Sequence, residues 1–208
     1  MINAKITPLW LIVHRKVRFL FLYLLLSKQP LETKGLIYAL YFFMEKLEII
    51  KRKIITFEEL LPLRNIWRFQ DKKVVFTNGC FDLLHLGHID YLAKAADMGH
   101  KLVVGLNSDR STAALKGPNR PLTNETSRSH LLAALFFVDA VIIFDEETPF
   151  KLIEAVKPDV LVKGADYTLD QIVGADVVIA NGGEVKTVNY LTGYSTTAIE
   201  TKIREQGK

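Results

Sequence analysis

The chain has 208 residues, of which 49% are hydrophobic, with 27 Lys/Arg against 23 Asp/Glu, so it can bury one substantial core and form one main domain. Its formal charge of +4 resides wholly in residues 1–43, where six basic side chains face one acid; residues 44–208 carry 21 basic and 22 acidic side chains. With no basic cluster interleaved with aromatics in that larger part, DNA or RNA binding has little electrostatic support. The single cysteine, Cys80, excludes an internal disulfide and a Cys-rich zinc site, and fits a reducing, cytoplasmic setting.

Residues 1–43 contain two apolar runs, "FLFLYLLL" (19–26) and "LIYALYFF" (36–43), separated by "SKQPLETKG". Each falls far short of the roughly 20 apolar residues that a spanning helix needs, so a membrane anchor is not expected. Arg15, Lys16 and Arg18 ahead of the first run imitate a signal peptide, but no small-residue cleavage site follows. The expected organisation is a leader over 1–43 that need not belong to the native protein, an N-terminal helical extension over 44–70, and the functional domain over 71–208.

From Met44 the pattern becomes regular. In "TFEELLPLRNIW" (56–67), Thr56 with Glu59 three residues on predicts a capping box opening a short amphipathic helix that packs against the main domain. Beyond it, β-branched runs at 74–77, 102–106, 140–144 and 160–162 alternate with helical stretches at 89–97, 125–137 and 149–156. The last part, "DVVIAN", "EVKTVN" and "STTAIETKIRE", predicts two strands and a closing helix. Apolar strands alternating with helices imply an α/β fold: a Rossmann-like parallel sheet with helices on both faces.

In such a sheet the ligand crevice lies beyond the carboxyl ends of the strands, where the strand order reverses. The stretch "TNGCFDLLHLGH" (77–88) falls at that edge. Gly79 lets the chain turn tightly and bring backbone amides near a ligand, and Gly87 leaves room at a helix start, where unpaired N–H groups and the helix dipole favour phosphate. No G-x-x-x-x-G-K-[ST] is present and no G-x-G-x-x-G follows the strand, which argues against a P-loop kinase and against dinucleotide redox chemistry. His85 and His88 have no third His or Cys nearby to complete a zinc set. The two histidines are therefore read as phosphate contacts, and no metal ligand is assigned.

These residues carry a resemblance. "GCFDLLHLGH" is similar to the G-x-F-D-x-x-H-x-G-H signature of the cytidylyltransferase-like nucleotidyltransferases, and "GYSTTAI" (193–199) resembles that family's second signature, at the start of a helix near the C-terminus. The similarity covers roughly residues 73–205. Within the family, "LNSDRSTAALKGPNRPL", "RSHLLAALFFVDAVIIFDEETP", "KPDVLVKGADY" and "NGGEV" resemble the branch that transfers AMP from ATP to D-glycero-β-D-manno-heptose 1-phosphate, which would make the product a precursor of the lipopolysaccharide core. In many bacteria that activity is the second half of a bifunctional protein whose first half is a sugar kinase. Here the resemblance implies a standalone enzyme, a homo-oligomer supplied by a separate kinase.

The resemblance implies catalytic roles for His85, His88 and Lys116. It implies nucleotide contacts for Asn78, Gly79, Phe81, Asp82, Gly87, Asp109, Arg128, Lys163, Asp166, Ser195 and Thr196. Lys116 and Arg128 are candidates for the ATP phosphates or the sugar phosphate; Ser195 and Thr196 offer hydroxyls at a helix N-terminus. Asp82 orients a histidine or caps the helix, while Lys163 and Asp166, flanking Gly164, contact base or sugar. Mg²⁺ is expected with the triphosphate, without a protein cage. Cys80 reads as a small buried residue, and His14, His100 and His130 carry no assignment.

One departure bears on the substrate. The glycerol-phosphate cytidylyltransferase branch commonly shows an R-T pair before its second signature, where this chain has "NYLTGYSTT". That weakens the first alternative, CTP with glycerol or ethanolamine phosphate. A second alternative is a non-catalytic nucleotide-binding protein.

Overall fold

A computed structural model describes residues 45–206, so the leader assigned to 1–43 lies outside the described residues. The described residues from Ile50 onward form one compact unit, and of the preceding unit only Glu45–Ile49 are described; the short helix α1 spans Lys46–Lys51. Helix α2 (Phe57–Phe69) opens on the predicted capping box: the Thr56 amide donates to Glu59 Oε2 (2.8 Å) and the Glu59 amide to Thr56 Oγ1 (3.3 Å).

A five-stranded parallel sheet follows, built from β1 (Val74–Gly79), β2 (Lys101–Asn107), β3 (Ala140–Phe144), β4 (Val160–Gly164) and β5 (Glu184–Val188) in the spatial order β3-β2-β1-β4-β5. Helices α3 (Leu86–Ala96), α4 (Asp109–Lys116), α5 (Glu125–Ala134), α6 (Phe150–Val156) and α7 (Ala175–Ala180) connect the strands, and α8 (Thr196–Gln206) closes the described chain. Side chains alternate across a strand, and this sorts the core onto two faces. Phe76 and Val103 pack with Leu60 and Trp67 of α2, Ile153 of α6 and Val178 of α7. Val75, Val104 and Leu106 pack with Tyr91 and Leu92 of α3 and Leu132 of α5.

Two elements differ from the sequence expectation. "DVVIAN" is helical within α7, not a strand: Ala175 and Val178, three residues apart, are its buried positions, and this period of a helix face outweighs the β-branched run. Helix α4 was not anticipated, although Ser108 caps it by accepting from the Ser111 amide at 3.0 Å.

The sheet's order reverses between β1 and β4, and there the two strands separate. β1 stays paired with β2 from Val74↔Lys101 to Gly79↔Leu106, but pairs with β4 only at Val75↔Val160 and Phe76↔Leu161. Beyond Phe76 a crevice opens at the carboxyl edge of the sheet, the position expected for a ligand in this topology.

Leu60 of α2 is fully buried and Arg64 Nε donates to the Val156 carbonyl at 2.9 Å, so this helix is part of the folding unit. Leu60→Ala should destabilise the protein by about 2–5 kcal/mol, measured by denaturant unfolding; a loss below about 0.5 kcal/mol would show α2 to be a detachable extension.

Candidate active site

Two polar bridges cross the opened crevice. From α3, the Tyr91 hydroxyl donates to the Val162 carbonyl of β4 (3.1 Å) and lies 2.7 Å from Thr77 Oγ1 of β1. Since the tyrosine proton goes to Val162, Thr77 is the donor in the second bond. Burial pushes the Tyr91 phenol strongly upward in pKa, so it remains protonated. One step further out, Lys163 Nζ donates to Asn78 Oδ1. Burial lowers Lys163 to about 8, with Asp166 opposing the shift.

Above these bridges lies a cavity of about 420 Å³ lined by strand-end residues Asn78, Gly79, Asn107, Lys163 and Gly164, together with Phe81, His88, Lys116, Tyr167 and Tyr190. A second cavity, of about 380 Å³, adjoins it through the shared His88, Lys116 and Tyr190, and is completed by His85, Gly87, Tyr194, Ser195 and Thr196. The structure thus gathers around one continuous opening nine of the polar or glycine positions singled out from the sequence.

The turn from β1 into α3 sets the histidines. Phe81 has φ of 43°, a left-handed conformation that costs a bulky residue energy and is held by its surroundings; its buried ring meets His88 edge-on at 5.3 Å. His85 is the N-cap of α3, its Nδ1 accepting from the His88 amide at 3.3 Å. The two imidazoles stack at 3.7 Å. Gly87 makes this possible, because a Cβ there would lie 3.1 Å from the His85 ring and 3.2 Å from Tyr194 Cβ.

Burial lowers the pKa of His85. His88 is lowered further, to about 4, first by burial and then by the neighbouring His85 and Lys116. Its Nδ1 is buried without a hydrogen-bond partner. Both rings are therefore neutral near pH 7. Because His85 Nδ1 accepts a hydrogen bond, its proton sits on Nε2, ready to donate to a ligand oxygen.

The expected helix over 89–97 starts earlier, at Leu86, so His88 lies in the first turn with the free amides. The hydroxyl of Ser195 caps α8 by accepting from the Ala198 amide (3.1 Å), and the start of α8 faces the same opening. Lys116 ends α4, where Gly117 turns the chain away at φ 101°.

Three expected ligand residues are hydrogen-bonded within the scaffold. Arg128 is 1% exposed. Its guanidinium donates to the carbonyls of Cys80 (2.6 Å), Asn107 (2.8 Å) and Thr123 (3.0 Å) and to Asp109 Oδ1 (2.7 Å), which ties it into the frame. Asp109 is held by that contact, and its amide donates to Glu125 Oε2 at 2.8 Å. Asp82 is buried and accepts from Arg120 Nη1 (2.8 Å) and from the amides of Leu122 (2.7 Å) and Thr123 (3.1 Å). Burial alone would raise its pKa, but these donors outweigh it and hold the carboxylate below its usual range.

Asp166 does not line the cavity wall. It stands beside Tyr190, whose phenol is pushed up to about 12 by burial and by that carboxylate. Tyr190 rests against Gly164, where a Cβ would fall 2.1 Å from its hydroxyl. The wall residues Tyr91, Tyr167 and Tyr190 were not anticipated, since no spacing in the sequence marks them.

The described residues contain no group of three His, Cys, Asp or Glu side chains able to hold a metal ion, and no helix long and apolar enough to cross a membrane. Strand order, the glycine-containing turn with paired histidines and the second helix N-terminus accompany a family match that makes the chain a nucleotidyltransferase. The chain belongs to the cytidylyltransferase-like family, whose profile matches residues 76–202. It is 50% identical over 170 residues to the bifunctional protein HldE of Koribacter versatilis, covering 82% of this chain and 35% of that protein. It is 57% identical over 132 residues to HldE of Citrifermentans bemidjiense, covering 64% and 27%. The chain spans about a third of the length of the relatives it matches. Pantoate-beta-alanine ligase from Francisella tularensis, solved with beta-gamma ATP and beta-alanine, shares the fold with a TM-score of 0.51 at 15% identity, over 74% of this chain and 78% of that one.

Two outcomes test this geometry. Arg128→Met leaves three carbonyls and Asp109 without their donor and should cost about 3–5 kcal/mol in denaturant unfolding, whereas an exposed ligand arginine would cost almost nothing. The His88 shift makes a pH prediction. The unfolded chain takes up the proton from about pH 6.5 downward, while the folded state resists until about 4, so acidification through that window favours unfolding. His88→Gln lacks this contribution. Its melting temperature relative to wild type should therefore rise by several degrees between pH 7 and pH 4.5, and a constant difference would refute the shift.

Proposed function

We propose that the protein transfers AMP from ATP to D-glycero-β-D-manno-heptose 1-phosphate, releasing pyrophosphate and forming ADP-heptose. The observation that carries the chemistry is the convergence of His85, His88, Lys116 and the N-terminus of α8 on one opening at the switch point. The substrate choice draws support from the sequence stretches that resemble the heptose branch and from the identity of about half the aligned residues to HldE proteins. The absence of an R-T pair before "GYSTT" weighs against CTP with glycerol phosphate. A kinase reaction must supply the sugar 1-phosphate.

In this reaction an acceptor phosphate oxygen attacks the α-phosphorus, a P–O bond forms, and the bond to the β-phosphate oxygen breaks with its electron pair leaving on pyrophosphate. The nucleophile is already ionised, so no general base is required. The protein's work is alignment and charge stabilisation. His85 Nε2–H donates to the leaving oxygens. His88, neutral in the free protein, is drawn toward its protonated form by approaching phosphate charge, so its interaction strengthens as negative charge accumulates. Lys116 and Lys163 supply the fixed positive charge, while Ser195, Thr196 and the α8 amides hold phosphate oxygens. Asn78, Gly79 and Phe81 shape the wall against which the nucleotide lies. Among the described residues no group of side chains would cage a resident Mg²⁺; we assign the expected Mg²⁺ to the oxygens of the nucleotide itself, and no step rests on it.

Pyrophosphate release with ATP or CTP, crossed against heptose 1-phosphate, glycerol 3-phosphate and ethanolamine phosphate, tests the proposal. Release with ATP and heptose 1-phosphate alone is expected. Release with CTP and a smaller phosphate would overturn the substrate, and nucleotide binding without turnover would favour a binding protein. His88→Ala should lower turnover by about 10²–10³-fold with a smaller effect on ATP affinity; activity within a few-fold of wild type would remove His88 from the chemistry.

A further inference from the structure

Helix α8 lines the second cavity with its first turn, yet it has no buried residue and adds no side chain to either core cluster. Ile203 on its outer part is 63% exposed. Beneath its first turns a cavity of about 160 Å³ remains, between His85 and the residues Tyr194, Ser195, Ala198, Ile199 and Lys202. Apolar packing therefore does not seat this helix.

A single arginine spans the gap. Arg120 lies in the loop between α4 and α5, four residues after Lys116. Its Nη1 donates to the buried Asp82 at 2.8 Å and its Nη2 pairs with Glu200 of α8. The same Asp82 also takes the amides of Leu122 and Thr123, so the loop that follows Lys116 is fastened to the turn that carries His85. The planar guanidinium, with its fixed fork of donors, suits a link between two carboxylates on separate elements.

We propose that Arg120 is a positioning residue that latches α8 over the histidine turn through Glu200, so that Ser195 and Thr196 meet the phosphates bound by His85, His88 and Lys116. Arg120 touches neither substrate; it acts by fixing where the α8 hydroxyls stand. The functional part rests on the proposed nucleotidyl transfer, whereas the latch itself is a property of the fold.

The test uses Glu200→Ala in the full chain, which leaves the Arg120–Asp82 pair and both cores intact. Hydrogen exchange should show the α8 amides losing protection by about tenfold or more while α3 and the sheet are unchanged; unchanged α8 protection would overturn the latch. In kinetics, Glu200→Ala should raise the KM for ATP by about 5–10-fold with kcat nearly preserved, and Glu200→Gln, still an acceptor for Arg120, should recover most of the loss. The double change Ser195→Ala with Thr196→Ala should raise KM in the wild-type background but add less than about twofold on top of Glu200→Ala, because the latch and the hydroxyls act as one unit. Multiplicative effects would show that Glu200 acts independently of the helix N-terminus and would overturn the positioning role. If wild type released no pyrophosphate with any substrate pair, the proposed reaction would fall, and the exchange result would still decide the latch.

Discussion

The parting of β1 from β4 after Phe76 is the constraint on which the rest of the site depends. Pairing to the strand ends would bring Asn78 and Gly79 against Lys163 and Gly164, filling the space where a ligand must lie. Separation instead leaves backbone groups needing partners, and a buried carbonyl without one is costly. From the overlying helix Tyr91 answers that need at the Val162 carbonyl, and it also bonds the Thr77 hydroxyl of β1. The side chain that holds the crevice open also ties α3, and with it the histidine turn, to both strands. Opening the sheet and placing the imidazoles are thus one structural event.

A second consequence is the concentration of charge inside the frame. Burying a guanidinium and a carboxylate separately is expensive unless each is fully hydrogen-bonded. Arg128 meets that condition by joining the β1–α3 turn, the end of β2 and the loop before α5, three segments that share no common strand or helix. Asp82 does the same for the turn and the loop after Lys116. Loops at a ligand edge cannot all be held by apolar packing, because one of their faces must remain open to the substrate. Polar ties from the protected side provide the rigidity that the exposed side cannot.

Much of this architecture was legible in the sequence, and the exceptions have physical causes. Strand 140–144 and the Thr56 capping box follow from local patterning, which needs no tertiary information. His85, Gly87 and His88 were identifiable because a glycine turn and a helix start impose close spacing in the chain. Arg128, Asp82 and Asp109 read as ligand contacts because a charged side chain near a site motif carries no local mark of where it will point; only the folded loops reveal that its partners are internal. The tyrosines of the wall were invisible for the converse reason, since Tyr91, Tyr167 and Tyr190 come from separate elements and meet only in three dimensions. "DVVIAN" misled because β-branched content outweighed a period of only two buried positions, and a single turn and a half of helix offers little else to read.

The stacked histidines separate positive charge from hydrogen-bond donation within the site. Two imidazolium rings 3.7 Å apart would repel each other strongly in a poorly solvated turn, so the stack favours neutral donors until phosphate arrives. Lys116 and Lys163 enter from α4 and β4 on different sides of the opening. Lys163 is itself weakened by burial, to about 8, and its contact with Asn78 keeps it at the strand ends. In the proposed reaction the two lysines would draw the nucleotide in, while the imidazoles would respond most when negative charge grows on the departing group. On the proposed reaction, that ordering would place the strongest interaction at the transition state rather than in the bound substrate, which is the condition for binding energy to raise turnover.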